Sequence, residues 1–225
     1  MSEEGEPAAP IELFSALERC SGDMSLFNQV VCETLRKSRD EQIGEIRSYF
    51  EAKDVSKVHF FAHSIKGACA TIGFNKLSEA AKTLDDLAKK ETLEGAGPLV
   101  DALASEIMAS NEYWDSHEAA MNAAVERCGD DMELFQQISK EMAADVLPGQ
   151  IEALEASVSE GDDDDIKNKA GQVLDAAETI GAAVLIDLLR KITDGNGNRA
   201  EIMEEVKTEA DLVVKFWELV EVEED

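Results

Sequence analysis

The chain has 225 residues, an apolar fraction of 44% and a formal net charge of −28. That apolar content supports packed cores and excludes global disorder, while a surface this acidic repels nucleic acid and anionic membrane and excludes both as partners. The length allows one or two domains. Cys20, Cys32, Cys69 and Cys128 form no Cys-x-x-Cys pair and no zinc-ligand spacing, so buried, reduced thiols are expected. Met1–Pro7 is acidic and lacks the apolar core of a secretory signal. No apolar stretch reaches the roughly 20 residues of a membrane span. The expectation is a soluble, cytoplasmic protein, with nuclear entry open to it in a eukaryote.

Few aromatics, four prolines and apolar residues at helical spacing throughout predict an all-α chain. Pro10 opens a first helix over Ile11–Arg19. Asp23 caps a second from Met24 to about Lys37, and Asp40 caps a third through Ile43, Ile46 and Phe50. Asp54 caps a fourth that stops at Gly73, a C-terminal glycine signal. Asn75 starts the next, through Leu77, Ala81, Leu84 and Leu87. Gly95–Pro98 then breaks the chain before a long helix through Leu103, Ile107 and Trp114.

The second half repeats the first. Glu18-Arg19-Cys20, Asp23-Met24 and Leu26-Phe27 recur 108 residues on as Glu126-Arg127-Cys128, Asp131-Met132 and Leu134-Phe135. Without a gap, Ala62, Ala68 and Thr71-Ile72-Gly73 then meet Ala170, Ala176 and Thr179-Ile180-Gly181. Identities clustered in one register point to a duplicated unit. The expected architecture is two tandem antiparallel helical domains of four-helix-bundle type, residues 1–117 and 118–225. A long helix or a very short turn joins them near His117.

The run His63-Ser64-Ile65-Lys66-Gly67 carries the chemistry. At about 100° per residue, Val58, Phe61, Ala62, Ile65, Cys69 and Ile72 form a core stripe, leaving His59, His63, Lys66, Gly67 and Ala70 on the other side. An imidazole with a free pKa of about 6.5 offers a nucleophilic nitrogen near neutral pH. Lys66, one turn on, can pair with the oxygens of an anionic group. A glycine inside a helix costs roughly 1 kcal/mol against alanine, so Gly67 implies clearance for something that approaches His63. Phe60, also off the core stripe, suits an apolar docking patch beside the nucleophile.

The pattern Ala62-His63-x-x-Lys66-Gly67, with Gly73 downstream on a helix of an all-helical bundle, resembles the histidine-containing phosphotransfer (HPt) domains of multistep two-component signalling. The likeness covers about residues 10–117 and reaches 118–225 only through the repeat. It implies a phosphorelay intermediate rather than an enzyme. His63 would accept a phosphoryl group from a receiver-domain aspartate, or from a histidine kinase, and pass it to another receiver aspartate. Lys66 and Gly67 would support it, and Phe60, Ser64, Ala70, Thr71 and Phe74 would border the receiver docking surface. The implied partners are response-regulator receiver domains and a sensor histidine kinase; a homodimer stays open. The chain itself would need no cofactor, since magnesium would sit on the receiver.

At the repeat offset His63, Lys66 and Gly67 become Gly171, Leu174 and Asp175. The second domain keeps its core positions and loses the nucleophile and the cation, which fits a non-phosphorylatable copy with a structural or partner-binding role. Two rival readings remain. A helical adaptor or dimerisation module would carry the motif without chemistry. A zinc site could use His59 and His63 at i, i+4, but no third ligand is evident in the sequence and no metal is assigned. Asp162–Asp165 reads as a helix N-terminus.

Overall fold

A computed structural model describes residues 13–220. The expected helix start at Pro10 and Ile11 lies outside them. Among the described residues the regular structure is entirely helical, in two compact units, one ending at Trp114 and the other beginning at Asp115. No described helix is long and apolar enough to cross a membrane.

The first unit comprises α1 (Leu13–Arg19), α2 (Met24–Lys37), α3 (Ile43–Glu51), α4 (Val55–Thr71), α5 (Asn75–Ala88) and the start of α6 (Ala96–Arg127). Aspartates set two of these starts: Asp23 accepts from the Leu26 amide at 2.9 Å and Asp54 from the Lys57 amide at 3.0 Å. Gly73, at φ 81°, turns the chain from α4 into α5. Phe27, Ile46, Ile65, Leu77, Leu84, Leu103 and Ile107 are buried together in its core. Trp114 closes it, edge-on to Phe27 at 5.6 Å and to Phe74 at 6.4 Å, its Nε1 donating to Cys32 Sγ at 3.1 Å.

The structure corrects three expectations here. Asp40 caps nothing. An N-cap needs a non-helical backbone, and between α2 and α3 the chain stays helical through one wide π turn, Ser38–Gln42. Asp40 instead pairs with Arg39 at 2.8 Å, whose hydrogen bond holds the carboxyl below its usual range. The carbonyls at the end of α2 are claimed by side chains: Ser38 Oγ donates to the Thr34 carbonyl, and Asn111 Nδ2 to the Leu35 carbonyl. Phe74, expected at the docking border, is fully buried against Trp114. Cys32 and Cys69 are buried, and burial pushes the Cys69 thiol up to about 12, but Cys20 and Cys128 are only half-buried.

The second unit comprises the end of α6, α7 (Met132–Glu141), a π turn at Met142–Val146, α8 (Leu147–Glu160), α9 (Asp163–Thr179), α10 (Ala183–Asp194) and α11 (Arg199–Leu219). Asp131 caps α7 through the Leu134 amide, and Asp162 caps α9 through the amides of Asp164 and Asp165. Leu147, Leu154, Val173, Leu185, Leu189 and Val206 are buried together, and Phe135 meets Trp217 edge-on at 5.4 Å.

Two glycines show opposite constraints. A Cβ on Gly67 would meet nothing within 4 Å, whereas one on Gly181, at φ +68°, would stand 2.8 Å from Met121 Cα. Gly67→Ala is expected to stabilise the chain by about 0.5–1 kcal/mol, through backbone entropy alone. Gly181→Ala is expected to cost about 2 kcal/mol or more, from left-handed strain plus a backbone clash. Urea denaturation of the two variants reads both signs.

Candidate functional site

Helix α4 anchors its core side through Val58, Ala62, Ile65 and Cys69, all fully buried. The opposite side carries His63, whose side chain is 61% exposed, and Phe60, 63% exposed. The Phe60 ring leans edge-on against Phe61 at 5.2 Å, and Phe61 stacks on Tyr49 of α3 at 5.8 Å. An exposed aromatic is thus braced from beneath. Gly67, Ala70 and Thr71 are exposed along the same helix. Ser64 is half-buried and turns toward the π turn, where its Oγ accepts from Gln42 Nε2 at 3.2 Å. Thr71 is fixed at the helix end: its hydroxyl donates to the Gly67 carbonyl, and its own carbonyl accepts from Arg19 at 2.6 Å.

The residue that organises this face was not singled out in the sequence. Asp85 of α5 is fully buried beneath it, and four basic side chains converge on its carboxylate. Lys66 Nζ and Lys89 Nζ donate to Oδ2 at 2.6 and 2.7 Å. His63 Nδ1 lies 3.4 Å from Oδ2, and His59 Nε2 lies 3.0 Å from Oδ1. Lys66 Nζ is also 3.2 Å from His63 Nδ1. His59, His63 and Lys66 are i, i+4 and i+7 on α4, so one helical face supplies three of the four. Ser78 of α5 donates to the Lys66 carbonyl at 2.9 Å and pins the two helices where the cluster forms.

Burial alone would raise the Asp85 carboxyl. The hydrogen bonds from Lys66, Lys89 and His63 overcome that and hold it at about 2. A charged aspartate in the interior is tolerated because it is multiply paired. The sequence did carry a signal for it. Leu77, Ala81, Leu84 and Ala88 form the buried stripe of α5, and Asp85 occupies a position of that stripe, where a lone carboxylate does not belong.

Chemically, Lys89 is shared between Asp85 and Asp86 at 2.7 and 3.2 Å, while Lys66 sets an ammonium group beside an exposed imidazole on a strongly acidic chain. That favours an incoming anion. Nδ1 is the ring nitrogen turned to Asp85. With its proton donated there, the lone pair lies on Nε2, which has no partner within the cluster. The Asp162–Asp165 run, by contrast, behaves as a helix N-terminus, with Asp163 paired to Arg199 and Asp165 to Ser157.

The folded chain binds Asp85 in its ionised form more tightly than the unfolded chain does. Its contribution is therefore complete above the free carboxyl range near pH 4 and is lost as pH falls toward about 2. The unfolding free-energy gap between wild type and Asp85→Asn, measured in urea, is expected to narrow by about 2 kcal/mol from pH 5 to pH 2.

A family model described as the Hpt domain matches residues 30–113. No curated protein and no solved structure matches the chain. The matched segment begins within α2 and ends one residue before Trp114, so it contains the π turn, the whole of α4 and α5 and every member of the cluster around Asp85. The exposed histidine, the lysine at i+3 and the uncluttered glycine at i+4 of α4 thus all fall within the segment, residues 30–113, that matches the Hpt domain family.

Proposed function

We propose that this chain is a histidine phosphocarrier of a phosphorelay, working with receiver domains and a histidine kinase as Hpt domains in general do, and that the carrier is His63. The observation that carries the reading is the pairing of an exposed imidazole with a buried carboxylate through Nδ1. In the proposed step the Nε2 lone pair forms an N–P bond with the phosphoryl group of a receiver acyl phosphate. The P–O bond to the receiver aspartate breaks, and its electron pair returns to that carboxylate. The Nδ1 proton stays toward Asp85, which stabilises the positive charge that grows on the ring. Lys66, within reach of both His63 and Asp85, can swing from the carboxylate to the arriving phosphoryl oxygens. Magnesium and most of the catalysis belong to the receiver, so the chain acts as carrier and not as enzyme.

Phe60, Ser64, Gly67, Ala70 and Thr71 form the proposed receiver contact. Phe60 supplies apolar area, and Gly67 leaves one turn of backbone bare beside His63. A sensor histidine kinase is the proposed ultimate phosphoryl source, and a cytoplasmic setting follows from these partners.

The second unit is proposed as a degenerate copy. Supporting this, α4 and α9 are both 17 residues long and start 108 apart. Arg19 and Arg127 donate to carbonyls at the ends of α4 and α9, those of Thr71 and Glu178. Leu77, Ala81 and Leu84 correspond to Leu185, Leu189 and Ile192, buried in both units. In that register the whole cluster is replaced: His59 by Lys167, His63 by Gly171, Lys66 by Leu174, Asp85 by Thr193 and Lys89 by Gly197. A structural or partner-binding role remains for it.

Incubation with a phosphorylated receiver and magnesium is expected to give acid-labile, base-stable label on wild type and none on His63→Gln at unchanged helicity. Label persisting on His63→Gln removes the assignment. A Cβ added at Gly171 meets nothing within 4 Å, yet labelling of Gly171→His is expected to be at least 100-fold slower than at His63, because the carboxylate and the lysine are missing.

A further inference from the structure

The sequence offered His59 and His63 as an i, i+4 pair without a third metal ligand. The fold supplies one. Donor atoms of His59, His63 and Asp85 lie within 4.8 Å of one another. His59 Nε2 and Asp85 Oδ1 face each other at 3.0 Å. Both atoms are shut off from solvent, and neither makes a hydrogen bond. Two buried lone-pair donors at that separation, with no proton aligned between them, are an arrangement that a cation resolves.

We propose that His59, His63 and Asp85 bind a divalent transition-metal ion of the zinc class, and that the bound ion competes with the phosphoryl group for His63. Zinc takes imidazole nitrogen and carboxylate oxygen at about 2.0–2.2 Å, which sets neighbouring tetrahedral ligands about 3.4 Å apart. The separation of His59 Nε2 from Asp85 Oδ1, 3.0 Å, already approaches this, while His63 Nδ1 lies 3.4 Å from the other carboxylate oxygen, Oδ2. His63 is exposed and can close the remaining gap by turning its ring. The fourth position opens toward solvent and suits water. Two imidazoles with a single carboxylate favour zinc over magnesium or calcium, which require mostly oxygen.

Lys66 and Lys89 oppose the ion, since both ammonium groups lie on Oδ2. Their side chains are 23% and 44% exposed and can turn outward, leaving Oδ1 as the metal-facing oxygen. The binding is accordingly of intermediate strength and increases when a lysine is removed. A metal on Nδ1 leaves the ring proton on Nε2, the nitrogen that would otherwise attack phosphorus. One imidazole therefore serves the metal or the phosphoryl group. The competition, though not the binding, rests on His63 being the phosphoryl acceptor.

Calorimetric titration of the full chain with zinc chloride, beside His59→Gln and Lys89→Ala of verified helicity, tests the site. The expected result is one ion per wild-type chain, affinity at least ten-fold weaker in His59→Gln and several-fold tighter in Lys89→Ala, and joint shifts of the His59 and His63 ring resonances. Absence of saturable binding, or equal affinity in wild type and His59→Gln, overturns it. For the competition, receiver-driven labelling is compared with and without zinc within each variant. Slowing in wild type and not in His59→Gln supports it; equal labelling with zinc bound overturns it. Failure to label even without zinc counts against the phosphocarrier reading and leaves the binding result standing.

Discussion

The active face depends on one buried charge. Asp85 sits in the apolar stripe of α5, and its carboxylate is the common partner of side chains that the α4 helix alone would leave pointing separately into water. A lysine on a helix surface ordinarily contributes little through a single exposed ion pair. Here the partner is removed from solvent and cannot be screened away, so Lys66 is held within 3.2 Å of His63. The same carboxylate fixes which nitrogen of His63 faces inward. The placement of His63 and of the charges around it thus follows from a single residue on the neighbouring helix.

If the second unit is a degenerate copy, as proposed, the same constraint bears on how its cluster could be lost. Removing one partner from a buried charged cluster strands the others at a cost of about 3–5 kcal/mol, while replacing the whole set by neutral groups is nearly free. In the proposed register the carboxylate and both lysines of the cluster give way to neutral residues, Thr193, Leu174 and Gly197, and the one remaining cation, Lys167, has no buried carboxylate to strand. Leu174 packs against the apolar core where Lys66 would reach for a carboxylate, and Thr193 satisfies its hydroxyl on the Arg190 carbonyl. The core pairing of phenylalanine with tryptophan, Phe27 with Trp114 and Phe135 with Trp217, is present in both units. The aromatic packing is thus common to both units, while the buried carboxylate and its lysines are found in the first.

Helical periodicity made most of the fold legible, because the apolar stripes of α4 and α5 depend only on local spacing. The same spacing set His63, Lys66 and Gly67 on one exposed face. What escaped needed tertiary information. The π turn at Ser38–Gln42 has no compositional sign. Asp40 looked like a cap because capping aspartates and exposed helical aspartates are the same residue in different backbone conformations. Phe74 stood next to exposed positions in sequence, but the turn at Gly73 carries it inward to Trp114. Asp85 was visible only as an anomaly, a charge in an apolar stripe, and three of its four partners lie upstream on another helix, α4.

Gly67 and Gly181 show why an unusual glycine must be read against its surroundings. At Gly181 the backbone of Met121 leaves no room and the positive φ strains any other residue, so the fold demands glycine. At Gly67 the conformation is helical and the space is empty, and alanine would make a better helix. Nothing inside the unit needs the missing side chain. On the proposed reading the reason lies outside the unit: bare backbone one turn from an exposed imidazole is the clearance a docking receiver would use, at a cost of about 1 kcal/mol in helix stability.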